Sequence, residues 1–144
     1  MPDGKTHDKI TLRFSPVLII GLFLLNIPFS ISIIITIGYF FSAYMFNGDL
    51  DLYSRPYRRW GFLRFIWKPY QNTFSHRSFF THGLIVGTLI RLIYLFGIPF
   101  IIMMFMGINA GIIFFNPISL MFYIGLEIGA MSHTVADKIY SFLK

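Results

Sequence analysis

Side chains able to do chemistry are scarce in this chain. Its histidines are His7, His76, His82 and His133, and its carboxylates are Asp3, Asp8, Asp49, Asp51, Glu127 and Asp137. His133 and Asp137 are four apart, so on a helix they share a face and can hold one cation, or one ligates while the other orients it. Asp49-Leu50-Asp51 follows Gly48 in the manner of a short acidic turn for a cation, with both carboxylates facing one way if the turn is locally extended. His76 and His82 are six apart, which is wrong for one helix face, so a turn or helix start near Ser78 or Thr81 must re-aim one of them. Each element alone has a plain reading as a headgroup contact or an ordinary turn. Together His7, Asp49, Asp51, His76, His82, His133 and Asp137, with Asp8 beside them, exceed the three ligands of a catalytic zinc. The surplus suits two ions, or one ion plus acid-base groups. Nitrogen and oxygen ligands without sulfur point to a divalent Zn or Mn, with Fe also compatible.

The elements that must position these groups follow from composition. The chain has 144 residues, 56% apolar and only 12% charged, with 18 Phe and no Cys, and its mean hydropathy is +0.67. A soluble domain carries about 25% charged residues, so a soluble, a disordered or a disulfide-built protein is excluded. The expectation is an all-α membrane protein with one transmembrane domain. Four apolar stretches, 12–27, 29–46, 83–106 and 111–131, are expected to span as helices, each near the ~20 residues a bilayer requires. The first is short, and a helix starting near Thr6 and tilting around Pro16 lengthens it. It lacks the small-residue site of a cleavable signal peptide. Asn116-Pro117 can start the fourth helix.

Between spans two and three lies a loop, 47–81. Eleven of the twelve Lys and Arg residues, all but Arg91, fall on one side of this four-span arrangement. By the positive-inside rule that side is cytoplasmic, with both termini there, in an inner membrane. Every histidine and five of the six carboxylates then sit at the cytoplasmic helix ends, where a bundle brings them together. The segment from Arg58 to Lys68 mixes aromatic and basic residues, and a short interfacial helix ended by Pro69 is expected there. It reads either as a membrane-anchoring belt or as a phosphate cradle built from Arg58, Arg59, Arg64 and Arg77. Nucleic acid is disfavoured, since no recognition motif accompanies the basic residues. Arg91 and Glu127 both lie about 14 Å deeper than the ligand cluster, which suggests a buried ion pair.

The blocks Gly-Lys-Thr-His7-Asp8, Gly48-Asp49-Leu-Asp51-Leu-Tyr-Ser, Arg59-Trp60-Gly61, His76-Arg-Ser-Phe-Phe-Thr-His82-Gly and Gly-Leu-Glu127-Ile-Gly-Ala-Met-Ser-His133-Thr-Val-Ala-Asp137 together resemble a family of small bacterial membrane metal-binding proteins. The histidine block is also similar to that of the LexA-regulated, membrane-bound metal-dependent hydrolases. Thr81 and Thr134 stand where serine is common. The resemblance implies a resident metal and, more distantly, hydrolysis.

Two functions follow as expectations. One is a metal-dependent hydrolase acting on a phosphoester, such as a phospholipid, at the cytoplasmic membrane surface. In it Asp8, Asp51 and Asp137 are the candidate catalytic bases, and the four arginines of the loop bind substrate. The alternative is a non-catalytic metal-binding membrane protein or an accessory subunit of a larger complex. Conduction is disfavoured, because only Arg91 and Glu127 approach the midplane. Ser75, Ser78 and Ser132 adjoin histidines in sequence, but adjacency does not build a triad.

Overall fold

A computed structural model describes residues 4–76 and 78–142, without the side chain of Ser141. Every regular element among them is helical: α1 (Gly4–Leu24), α2 (Phe29–Met45), α3 (Arg55–Arg59), α4 (Trp67–Thr73), α5 (Phe79–His82), α6 (Val86–Phe105), α7 (Ala110–Phe114) and α8 (Pro117–Phe142). Two 3₁₀ turns, Gly48–Asp51 and Gly61–Ile66, complete the order.

Local chemistry accounts for the boundaries. Pro16 sits inside α1 and cannot bond back to Leu12, and the Ser15 hydroxyl donates to that carbonyl instead at 2.9 Å. The chain leaves α1 through Asn26 at φ 54, with the Ile27 amide donating to the Leu22 carbonyl at 3.1 Å and the Asn26 amide to that of Phe23 at 3.0 Å. This is the left-handed helix stop that returns the chain antiparallel. Gly107, at φ 72, repeats the device after α6. Asn116 caps α8 by accepting from the Ser119 amide at 2.9 Å, so Asn116-Pro117 does begin that helix.

α2 and α8 pack closest, through glycine. A Cβ on Gly125 would lie 2.1 Å from the Ile35 carbonyl oxygen, one on Gly129 2.5 Å from that of Tyr39, and one on Gly38 2.4 Å from that of Phe122. Small residues four apart let the two backbones touch. α1 lies along this pair, its Thr11 carbonyl accepting from the Tyr39 hydroxyl at 2.9 Å.

Three helical stretches, Phe29–Asp51, Val86–Phe105 and Pro117–Tyr140, are long and apolar enough to cross a membrane. This corrects the four-span expectation: α1 is 21 residues long, but Asp8, Lys9 and Arg13 crowd its first half and keep it outside that class. The expected span 83–106 is filled by one helix, α6, which starts three residues later than expected, after a break from α5, whereas 111–131 is divided by the end of α7 before Pro117.

The 47–81 segment is folded rather than draped on a surface. Trp67 and Tyr70, fully buried, join Phe46, Leu50, Tyr57 and Leu126 in the hydrophobic core. Trp67 is therefore a core residue, not an interfacial anchor. Pro69 lies in the first turn of α4, where a missing N–H is harmless, so it helps to open a helix instead of closing one. Phe62, Leu63 and Phe65 remain exposed in the second 3₁₀ turn.

Candidate metal centre

Four elements deliver polar side chains to one end of the α2/α8 pair. After α2, Asn47 caps the first 3₁₀ turn, its side-chain oxygen accepting from the Asp49 amide at 3.1 Å and its amide group donating to the Ala43 carbonyl at 2.8 Å. The Ser54 hydroxyl and Gln71 tie down the carbonyls of the same turn. With three residues per turn, Asp49 and Asp51 point in different directions, which corrects the extended, same-facing arrangement expected for them. Gly48 leaves room for the His82 ring, because a Cβ there would lie 2.8 Å from His82 Nε2. α5 begins after Ser78, as the re-aiming of the His76/His82 pair required, and places His82 at its last position. α8 supplies His133 and Asp137 one turn apart, and α1 supplies His7.

Asp49, His82, His133 and Asp137 each offer one ligand atom, and these atoms all lie within 4.8 Å of one another. His133 Nε2 is 3.3 Å from Asp49 Oδ1 and 3.5 Å from Asp137 Oδ2, and His82 Nε2 is 3.8 Å from Asp49 Oδ1. These separations are long for hydrogen bonds. They match the ~3.4 Å edge of a tetrahedron whose bonds are ~2.1 Å, the length of zinc bonds to nitrogen and oxygen. Asp49 Oδ1, His82 Nε2, His133 Nε2 and both Asp137 oxygens are buried and have no hydrogen-bond partner. Buried polar atoms left unpaired are costly, and four of them, one from each residue, gathered within 4.8 Å of one another is what a divalent cation would satisfy. Two carboxylates would also neutralise its charge. The residues present therefore fit a metal.

The tautomer of His82 agrees. The Thr81 hydroxyl donates to the Ser78 carbonyl at 3.2 Å and lies 2.9 Å from His82 Nδ1. With the proton directed to Ser78, the Thr81 oxygen is placed to accept from Nδ1–H, the arrangement that would leave the lone pair on Nε2 to face Asp49. Thr81 was invisible as a site residue in the sequence, although its position next to a histidine was a signal of the kind that orients a ligand.

The other expected site residues take different places. His7 Nε2 meets Asp137 Oδ1 at 3.3 Å and its ring lies 4.2 Å from that of His133, so it buttresses two ligands. Asp51 Oδ1 is 2.9 Å from His76 Nδ1, while its buried Oδ2 has no hydrogen-bond partner and lies 3.7 Å from His82 Nδ1. Asp51, His76 and His82 thus form a second, adjacent cluster. Asp8 is not at the centre. Its Oδ2 is held at 2.7 Å by both Arg55 and Arg59, because in a helix it points about 100° away from His7. Arg59 also donates to the Tyr44 carbonyl and covers its ring, so it is engaged in structure. Arg58 and Arg64 are exposed, and Arg77 lies outside the described residues. Arg91 and Glu127 make no ion pair: Arg91 donates to the Thr81 carbonyl and the Thr88 hydroxyl, and Glu127 accepts from the Ile85 amide.

A cavity of about 510 Å³ reaches the centre at His82 and Asp137. Ser78, Phe79, Leu84 and Lys138 are among its walls. Among the described residues, Lys138, not an arginine of the 55–68 segment, is the cation that lines it.

Comparison with known proteins agrees with this chemistry. A family model described as "Uncharacterized metal-binding protein (DUF2227)" matches residues 2–117, which include His7, Asp49, Asp51, His76 and His82 and stop short of His133 and Asp137. An "Uncharacterized protein" of Aquifex aeolicus (strain VF5) is 41% identical over 71 residues, 49% of this chain and 45% of that protein. The chain thus matches less than half the length of this relative. No solved structure matches. With most of its length covered by the model, and with a buried His/Asp cluster able to chelate a cation, the chain belongs to this metal-binding family.

Proposed function

We propose that this chain is a membrane-embedded, metal-dependent hydrolase that holds one divalent cation, Zn or Mn with Fe also compatible, between Asp49, His82, His133 and Asp137. Its substrate class is a phosphoester carried at the membrane surface, such as a phospholipid. The observation that carries the reading is the cavity that runs to His82 and Asp137, since it gives a substrate access to the ligand cluster. One ion is proposed because His82 Nε2 is the ring nitrogen without a partner, while Nδ1 lies 2.9 Å from the Thr81 hydroxyl. A bound divalent cation would supply Lewis acidity and an acidified water at neutral pH. The chain's own residues supply the rest. Lys138 binds the phosphate charge, Phe79 and Leu84 take apolar substrate, and Asp51 holds His76 by Nδ1 so that its other nitrogen can carry a proton. The exposed Arg58, Arg64, Phe62 and Phe65 contact lipid headgroups. The basic residues around this end favour a cytoplasmic face in an inner membrane.

A second reading, metal held without turnover as in an accessory subunit, is favoured by the four protein groups at the cluster, which would saturate a tetrahedral ion as structural sites do. One experiment separates them. Protein loaded with Zn or Mn is incubated with phospholipid, isoprenoid phosphate and nucleotide panels, with and without chelator. Hydrolysis lost on chelation is expected, and full metal occupancy with no turnover on any panel moves the assignment to the second reading.

A further inference from the structure

Arg91 and Glu127 do not bond to each other, and they grip the backbone on either side of His82. On one side, Arg91 is 1% exposed and its Nη1 donates to the Thr81 carbonyl at 2.8 Å, while Nη2 donates to the Thr88 hydroxyl at 3.1 Å. Gly87 makes this possible, because a Cβ there would lie 2.7 Å from the Thr81 oxygen. On the other side, Glu127 Oε1 accepts from the Ile85 amide at 2.6 Å. Ile85 is the residue at which α5 breaks from α6.

That break is strained. Ile85 has φ 63 and ψ −56, and the Val86 amide donates across it to the Leu84 carbonyl at 2.6 Å. This is a three-residue turn of the unfavourable hand, on a β-branched residue that rarely adopts positive φ. A strained turn persists only where its surroundings hold it, and such turns gather at functional sites. The holding group here is a carboxylate on α8, the helix that also carries His133 and Asp137, six and ten residues farther on. α5 ends at His82, with Gly83 already extended, and the turn follows two residues later, fixing where the chain leaves His82, whose Nε2 lies 3.8 Å from Asp49 Oδ1.

We infer that Arg91 and Glu127 are positioning residues for the metal ligand His82, Arg91 through the Thr81 carbonyl before it and Glu127 through the Ile85 amide after it. The inference rests on His82 being a ligand. It places the buried Arg91 and the half-buried Glu127 in the function of the site although neither touches the cation's place.

The test is a cobalt(II) titration of the full chain in detergent, read by the absorption of the bound ion, with thermal melting measured in parallel. Wild-type protein that takes up no cobalt overturns the metal reading itself. Given wild-type binding, Glu127→Ala is expected to bind about 10–100-fold more weakly, as is usual when the support of a ligand is lost. Glu127→Gln is expected to stay close to wild type, because its amide oxygen still accepts from Ile85 N–H. Adding Ile85→Gly to Glu127→Ala is expected to recover affinity, since glycine adopts positive φ without strain. A merely structural role predicts that Glu127→Ala lowers the melting temperature while cobalt affinity of the folded protein stays at the wild-type value. Glu127→Ala with wild-type affinity, or a double variant no better than the single, overturns the inference. Should Glu127→Ala not fold, Gly87→Ala decides, since it displaces the Thr81 carbonyl while retaining both charges; unchanged cobalt affinity there overturns the assignment.

Discussion

Consecutive residues on a helix face different neighbours, and His7 and Asp8 show how far that separates their roles. His7 turns toward Asp137 and His133, whereas Asp8 turns toward Arg55 and Arg59. His82→Ala and His133→Ala are therefore expected to abolish stoichiometric metal, measured by elemental analysis of purified protein. His7→Ala is expected to weaken binding by about 10–100-fold, as loss of a group that orients ligands does. Asp8→Ala should leave metal content unchanged and cost no more than about 1 kcal/mol, because its ion pairs are partly exposed to solvent. The His133/Asp137 spacing was legible in the sequence, since a one-turn separation fixes a shared face without any knowledge of the fold. The role of Arg91 and Glu127 was not. Their side chains answer to a backbone break at Ile85, and nothing in an apolar run of Leu84-Ile85-Val86 announces a positive φ.

At the level of elements, glycine decides how closely α8 approaches α2. Gly125→Val would put a side chain into the Ile35 carbonyl, whose oxygen already lies 2.1 Å from where a Cβ would be. The helices must separate, with an expected loss of about 1–3 kcal/mol and a lower melting temperature. Metal affinity should fall with it, because α8 carries His133 and Asp137 while Asp49 follows α2. Gly21→Ala is the control: nothing lies within 4 Å of its Cβ position, and the effect is expected to be about 1 kcal/mol or less. The helical class and the starts of α2 and α8 could be read from apolar runs bounded by proline. The late start of the third span and the division of the fourth could not, because a short helix and the first turn of a long one share the same composition. Trp67 was misplaced for a related reason. Tryptophan beside arginine suggests an interface, but Phe46, Leu50 and Leu126 from other elements cover it, and such long-range packing leaves no local pattern.

For the whole molecule, the centre is where α8, the turn after α2 and α5 meet, with α1 leaning on it through His7. A cation there would crosslink three parts of the chain that are otherwise joined by loops. Chelation is expected to lower the melting temperature by roughly 5–10 °C, the shift that follows from removing a ligand held near a hundredfold excess over its dissociation constant. Restoring zinc should reverse it, and a melting temperature indifferent to chelator would mean that the orphaned carboxylates and imidazoles hold nothing. The scattering of the ligands along the chain also sets an order of events during synthesis. Asp49 and His82 leave the ribosome first, while His133 and Asp137 on α8 follow only after a further stretch of about fifty residues, roughly 3–10 s of translation. During that interval a nascent chain offers a cation half a cage. High-affinity capture thus waits for α8 to dock against α2 through Gly125 and Gly129, which makes metal occupancy a chemical record that the helices were assembled in the right arrangement.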